Sequence, residues 1–181
     1  MSRGPNAGSF VFIGLFLVGS TAAGQETQGF AETRLSLLTG VSGFDDRETL
    51  NLALLLHYVI QYEPYYYKGR LADFPLTLAY GQKIDALRRK YRSYLWDAEF
   101  RDTLGAKVTA SGSHRYSVFL TAAGKRAVVV VNQEFNKAIT ATLTLPHPGR
   151  LVVATPEQPE SRRATGTLQV PARSAAVVLE Q

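Results

Sequence analysis

A leucine-rich segment between Asp46 and Gln61 constrains the fold of this chain more than any other feature. Asp45 and Asp46, followed by Glu48, are typical of a helix start, where carboxylates satisfy free backbone N–H groups. Pro64 prevents the helix from continuing. Apolar side chains cover nearly every face of this predicted helix from Leu50 to Ile60. A helix that is apolar all round must be covered on more than one side. We therefore expect it to be an internal helix of a larger domain.

Two further helices are predicted in the same half of the chain. One runs from Phe30 to Leu38. The other begins after Asp73, which can cap it, with Pro75 in its first turn. Its apolar side chains recur at spacings of three or four and form a single stripe: Tyr80, Ile84, Leu87, Tyr91, Tyr94 and Leu95. A single stripe with charged residues elsewhere predicts a helix that lies on a surface.

From Gly105 onward the pattern changes to short antiparallel strands. Apolar residues alternate with threonines from Ile139 to Leu145, and Tyr116 to Leu120 alternates in the same way. The continuous run from Ala127 to Val131 predicts a central strand covered on both faces. Further strands are predicted at 107–109, 150–154, 167–170 and 174–179, with the stretch from Pro156 to Gly166 as a turn. Strands this short and numerous, without helices between them, indicate an antiparallel β-sandwich.

The predicted fold class is therefore α+β, in a chain of 181 residues that is 45% hydrophobic and 19% charged. Residues 25–104 form a helical segment and residues 105–181 form the sandwich. The absence of cysteine excludes disulfides, thiolate metal sites and cysteine nucleophiles. The net charge of +5 is too small to argue for nucleic acid.

Residues 1–24 contain an uncharged apolar run at 10–19, preceded by Arg3 and followed by small residues up to Gly24. This order is typical of a secretory signal cleaved after Ala23 or Gly24, which predicts a secreted or periplasmic protein. The same run is also compatible with a buried strand whose upstream chain is missing. It is too short to span a membrane.

Sites for common cofactors and metals are not indicated, and we predict neither. No glycine-rich phosphate loop follows a strand. His57, His114 and His147 lie far apart, without the spacing of metal ligands. His57 is interpreted as a hydrogen-bonded core residue, and the other two as exposed turn residues. The basic run from Arg88 to Arg92 is interpreted as a solvated helix face rather than a nucleic-acid site.

A tyrosine-rich loop after the leucine-rich segment is the unusual constellation in this sequence. Tyrosine rings can stack on the C–H faces of a sugar, while a carboxylate accepts hydrogen bonds from its hydroxyl groups. The alternative is that the tyrosines wedge the loop against a neighbouring layer. The candidate sugar-binding residues are Tyr62, Glu63, Tyr65, Tyr66, Tyr67 and Lys68.

Glycoside hydrolysis needs two carboxylates that flank one bond. Glu63 is a weak candidate for one of them, and the sequence offers no convincing second. The other acids are interpreted as helix caps or as residues at the junction between the helices and the sandwich: Asp45, Asp46, Asp73, Asp97, Glu99 and Asp102. We therefore predict that the catalytic pair is absent from this polypeptide.

Several segments resemble the C-terminal part of (β/α)8-barrel glycoside hydrolase-like proteins, including groups of uncharacterised domains. The resemblance rests on Leu54–Tyr58, Tyr62–Tyr65, Asp73–Gly81 and Arg92–Phe100, and on Val128–Asn132 and Pro171–Leu179 in the sandwich. It implies that the last barrel helices precede an accessory β-sandwich, as in α-amylase-type enzymes. The earlier strands, whose ends carry the catalytic residues of such barrels, are missing here.

The resemblance implies a sugar-related protein without hydrolase activity of its own. The expected partners are a carbohydrate and either the rest of the barrel or a subunit that covers the helix from Leu50 to Ile60. No nucleic-acid partner is predicted. The alternative is an exported carbohydrate-binding or structural module that uses the tyrosine loop as its platform.

Overall fold

The computed structural model describes residues 32–37, 45–64, 70–146 and 149–181. The helices are α1 (Arg47–Leu55), α2 (Pro75–Lys90) and α3 (Arg92–Leu95), with a short 3-10 helix at Leu71–Asp73. The strands are β1 (Glu32–Leu37), β2 (Val59–Pro64), β3 (Glu99–Phe100), β4 (Lys107–Ala110), β5 (His114–Leu120), β6 (Arg126–Asn132), β7 (Ile139–Thr144), β8 (Leu151–Ala154), β9 (Arg162–Ala164), β10 (Thr167–Val170) and β11 (Ala175–Glu180). The predicted α+β class is confirmed, and the described residues do not form a complete (β/α)8 barrel.

The leucine-rich segment is a helix followed by a strand, so the prediction of one helix up to Gln61 is wrong. The Asp46 side chain caps α1 by accepting from the Thr49 N–H, as predicted. The helix ends at Leu55, and His57 then adopts a left-handed backbone with φ of 62°. β2 pairs in parallel with β1 along its whole length. The helix predicted from Phe30 to Leu38 is also wrong, because β1 occupies most of that segment.

A six-stranded sheet forms the centre of the fold, in the order β3-β5-β6-β11-β8-β9, with every pair antiparallel. Its central strands are buried on both faces. In β6, Val128 and Val130 belong to one hydrophobic cluster, whereas Val129 and Val131 belong to the other. The prediction of a central strand at this run is confirmed, because strand alternation sends successive side chains into different layers.

A three-stranded antiparallel sheet, in the order β10-β7-β4, packs on one face of the six-stranded sheet. Ile139, Ala141 and Leu143 of β7 point into the shared core, while Thr142 and Thr144 are exposed. This arrangement matches the alternation in the sequence. The two sheets together form a sandwich-like pair of layers.

The helices cover the opposite face of the six-stranded sheet. Leu50 and Leu54 of α1 and Ile84 of α2 share a core with Phe119 and Val129 of the sheet. Leu50, Ala53, Leu54 and Leu55 are all almost fully buried. The leucine-rich helix is therefore covered on two sides by this chain itself, and the expectation that its cover must come from elsewhere is wrong.

The strands predicted after Gly105 are all present, with ends that differ by one or two residues. Two short edge strands were not predicted. β3 pairs with β5 just after the last helix, and β9 pairs with β8 inside the stretch that the sequence indicates as a turn. The exposed Arg162 and Arg163 of β9 are typical of a charged sheet edge, which lacks a hydrophobic pattern.

Candidate functional site

The parallel strands β1 and β2 end at the same edge, which we call the carboxyl edge. Ser36 lies opposite Glu63, and Leu37 lies opposite Pro64. The two strands are therefore in register where they end. In folds built from parallel strands, binding and catalytic groups are found at this end of the strands. The backbone therefore places Glu63 at this edge, and the tyrosine-rich segment follows it in the sequence.

Tyr62 packs between β2 and α2. A Cβ added at Gly81 of α2 would lie 1.7 Å from the Tyr62 hydroxyl oxygen. Burial raises the pKa of Tyr62 to about 12, and the nearby Asp85 carboxylate adds to the rise. This geometry matches the wedge interpretation for this tyrosine. The other candidates of the loop, Tyr65, Tyr66, Tyr67 and Lys68, lie outside the described residues, and so does the apolar run at 10–19.

The three carboxylates interpreted as helix caps, Asp45, Asp46 and Asp73, have structural partners. Asp46 caps α1. Asp45 pairs with Arg47 at 2.8 Å. Asp73 accepts from the Arg70 N–H at 2.8 Å and so belongs to the 3-10 helix, whereas α2 begins at Pro75 without a side-chain cap. The prediction that Asp73 caps α2 is therefore wrong, although Pro75 occupies the predicted first turn.

Two of the three acids at the helix-to-sheet junction are also paired with arginines. Arg92 contacts Asp97 at 3.1 Å, and Arg101 contacts Glu99 at 3.0 Å. Asp102 has a left-handed backbone with φ of 51°, which turns the chain towards β4. These contacts agree with the interpretation of the three acids as junction residues.

His57 is a half-buried, hydrogen-bonded residue, as predicted. Its Nε2 lies 3.1 Å from the Trp96 carbonyl oxygen, and its ring makes edge contacts with Trp96 and Phe119. Burial lowers the pKa of His57, and the charge of Arg88 lowers it further. His114 differs from its prediction, because it is the first residue of β5 and is half-buried. His147 lies outside the described residues.

Arg88 is the clearest departure from the sequence prediction of a solvated basic face. Its side chain is buried, and it donates to the carbonyl oxygens of Ala53 at 2.5 Å and Tyr58 at 2.8 Å. Burial lowers the pKa of Arg88 to about 10. The guanidinium therefore binds the C-terminal end of α1, while Arg89, Lys90 and Arg92 are exposed. One member of the basic run is thus a core residue.

A polar network that the sequence did not indicate joins the helices to loops of the sheets. Tyr80 donates to the Asn51 side chain at 2.6 Å, and Asn51 donates to the Arg173 carbonyl oxygen at 3.0 Å. The starts of α1 and α2 are linked directly, because the Asp46 N–H donates to the Thr77 hydroxyl at 3.0 Å. These partners lie 29 to 122 positions apart along the chain, so no local pattern could have predicted them.

Comparison with known proteins adds no relative: no family model, no curated protein and no solved structure matches this chain. Among the described residues, no helix is both long and apolar enough to cross a bilayer. The same residues contain no cluster of three or more histidine or carboxylate side chains of the kind that holds a metal ion. The candidate site therefore rests on geometry and on the chemistry of its residues.

Proposed function

We propose that this chain is the C-terminal portion of a carbohydrate-active, glycoside hydrolase-like protein. In this proposal β1, α1, β2 and α2 are the last units of a (β/α)8 barrel, and the sheets form an accessory domain that stabilises its final helices. The observation that carries the proposal is the parallel pairing of β1 and β2 with α1 between them. This strand–helix–strand order is the repeating unit of such a barrel.

The small size of the parallel sheet is an argument for the proposal that this chain belongs to a larger barrel. Parallel sheets occur almost only where both faces are covered, and two strands alone make a marginal sheet. Ile60 and Tyr62 of β2 pack against the helical core, whereas Gln61, which alternates with them, is exposed. In the proposed protein, further parallel strands would pair with this sheet, and the exposed face would line the barrel interior. The partner is thus the rest of a barrel rather than a cover for α1.

The proposed site is the carboxyl edge, with Glu63 and the tyrosine loop as sugar contacts. Tyr65, Tyr66 and Tyr67 would offer rings, and Lys68 and Glu63 would hydrogen-bond to hydroxyl groups. Tyr62 holds β2 against α2. Because hydrolysis needs two carboxylates and this chain offers only the weak candidate Glu63, we propose that it has no hydrolase activity alone.

A rate assay tests this proposal. The purified chain is incubated with aryl glycosides, and we expect no turnover near 1 per second, roughly the low end for enzymes. Turnover at such rates would contradict it. A second test reads the coding DNA upstream of Met1. In-frame strand–helix units there would support the barrel, and a separate promoter with a ribosome-binding site would contradict it.

A second candidate function is an exported carbohydrate-binding module, in which the run at 10–19 is a removed secretory signal. The tyrosine-rich segment favours this function, because aromatic rings and a carboxylate are close together in the sequence there. The test compares oligosaccharide binding by the wild type, by Tyr65→Ala with Tyr66→Ala, and by Tyr65→Phe with Tyr66→Phe. We expect the alanine pair to lose binding and the phenylalanine pair to keep it. Unchanged binding in the alanine pair, with the fold intact, would favour the wedge interpretation.

A further inference from the structure

Five side chains from four separate parts of the chain form a continuous row, which we call the cross-layer row. The Arg173 guanidinium carbon lies 4.7 Å from the centre of the Phe135 ring. Arg173 Nη1 lies 3.8 Å from Asp45 Oδ2, and the same oxygen lies 2.8 Å from Arg47 Nε. Arg47 Nη1 lies 3.6 Å from Glu157 Oε1. The order is therefore ring, guanidinium, carboxylate, guanidinium, carboxylate.

The row lies at the end of the molecule where β1 and β2 end. Asp45 and Arg47 stand at the start of α1, which follows β1 and precedes the parallel strand β2. A helix that connects two parallel strands runs back against them, so its start lies at their carboxyl edge. Phe135, Glu157 and Arg173 come from loops of the antiparallel sheets. The sheets therefore supply side chains to this edge.

The row is fixed in place but still accessible. Phe135 is 62% exposed, and Arg173 holds one face of its ring. Arg47 and Glu157 keep about a third of their side-chain surface exposed, at 32% and 33%. The Arg173 backbone has a left-handed φ of 51°, a conformation that non-glycine residues adopt at a cost and that clusters at binding sites.

The chemistry of the row selects a ligand class. Two guanidinium groups face two carboxylates, so the row carries no net formal charge. It presents donors and acceptors side by side, with an open aromatic face at one end. Adjacent hydroxyl groups of a sugar match alternating donors and acceptors, and the sugar C–H face matches the ring.

We infer that the cross-layer row is a binding site for a neutral oligosaccharide, with Phe135 as its stacking platform and Arg47 and Glu157 as its hydrogen-bonding groups. This inference rests on the proposed function, because it extends the sugar site from the tyrosine loop onto the sheets. It assigns the accessory domain a part in binding, in addition to its part in stability.

Calorimetry on the full chain with cellohexaose, maltohexaose, xylohexaose and mannohexaose tests the inference. We expect at least one of them to bind, Phe135→Ala to weaken binding about tenfold and Phe135→Tyr, which keeps the ring, to restore it. Arg47→Gln should also weaken binding. Leu104→Ala is the matched control, since Leu104 is 66% exposed and lies outside the row. Thermal melts verify that each variant is folded.

The outcomes separate this inference from the proposed function. If Phe135→Ala and Arg47→Gln bind as the wild type does while the Tyr65→Ala and Tyr66→Ala pair loses binding, the row is refuted and the tyrosine-loop site stands. If none of the four oligosaccharides binds the wild type, the row is refuted as well. The coding DNA upstream of Met1 still decides the barrel proposal in that case.

Discussion

Gly81→Ala reverses the usual effect of replacing a glycine inside a helix. In a helix interior, alanine is normally more stabilising than glycine by about 1 kcal/mol. Here the new Cβ would lie 1.7 Å from the Tyr62 hydroxyl oxygen and 2.8 Å from the ring carbon that carries it. A rigid ring between β2 and α2 must then move, and overpacking of this kind costs about 1–3 kcal/mol. The expected net loss of stability is about 1 kcal/mol.

Removal of the Tyr62 ring should make the stability change of Gly81→Ala favourable again. In a Tyr62→Ala background, Gly81→Ala should stabilise the protein by about 1 kcal/mol, since only the gain in helix propensity remains. The coupling energy between the two positions is then about 2 kcal/mol. Urea unfolding followed by far-ultraviolet circular dichroism measures all four variants. The melting temperature should change by roughly 2–4 °C for each kcal/mol in a chain of this size.

Ala79→Gly is the control for helix propensity, because residue 79 is exposed on the same helix. It should cost about 1 kcal/mol in both backgrounds. If Gly81→Ala alone stabilises the protein, or if its effect is the same with and without Tyr62, then β2 does not lie against α2 as described. The role of Tyr62 as a wedge between β2 and α2 would then be refuted.

Three further changes test the interior. Arg88→Met should lower the free energy of unfolding by about 2–4 kcal/mol, because two carbonyl oxygens lose a buried charged donor. Arg89→Met, at an exposed position, should change it by no more than about 0.5 kcal/mol. Equal urea midpoints for the two variants would contradict this prediction. Asn132→Asp should lower the free energy of unfolding by about 3 kcal/mol or more, because the buried Asn132 amide donates to three carbonyl oxygens that would repel a carboxylate. An unchanged melting temperature would refute these three hydrogen bonds. The pKa of His57 is lowered, so the folded state disfavours its protonation. The contribution of His57 to the free energy of unfolding should therefore be fully present above about pH 6.5 and should fall as the pH drops towards the lowered pKa. His57→Asn, which tolerates the left-handed backbone, should flatten this slope in melts across pH 4–8, and an unchanged slope would exclude His57 as its source.

The strands after Gly105 were predictable because alternation and β-branched runs are local signals. The pattern from Ile139 to Leu145 states which side chains face the core, and the structure agrees. Short edge strands carry no such signal. The exposed Arg162 and Arg163 of β9 adopt a strand because they pair with β8. The local sequence of either segment does not predict such a pairing.

The helical half was harder to predict, because an apolar run has the same composition in a buried helix and in a buried strand. The local signals near Asp46 and Pro64 were real, but they mark the start of α1 and the end of β2 rather than two ends of one helix. The change from helix to strand occurs at His57, whose left-handed backbone is uncommon for a non-glycine residue. Tertiary pairing with β1 fixes β2 as a strand.

The hydrogen bonds of Arg88 could not be predicted, because their acceptors lie 30 and 35 positions away along the chain. Arg88 falls on the same face of α2 as Ile84 and Leu87, and spacing alone could have placed it in the stripe. A charged side chain can be buried where hydrogen-bond partners in the folded protein compensate for the loss of water. Here the partners are the carbonyl oxygens of Ala53, near the end of α1, and of Tyr58, just beyond it, which lie beside Arg88 only once the two helices pack.

The all-round apolar character of α1 follows from its position between two different surfaces. One side of the helix packs with Phe119 and Val129 of the six-stranded sheet, and another packs with Ile84 and Leu87 of α2. The principle that such a helix needs cover on several sides therefore held, whereas the source of the cover did not. In the proposed protein, the need for a partner rests on β1 and β2 instead, because parallel sheets are usually covered on both faces and two strands alone make a marginal sheet.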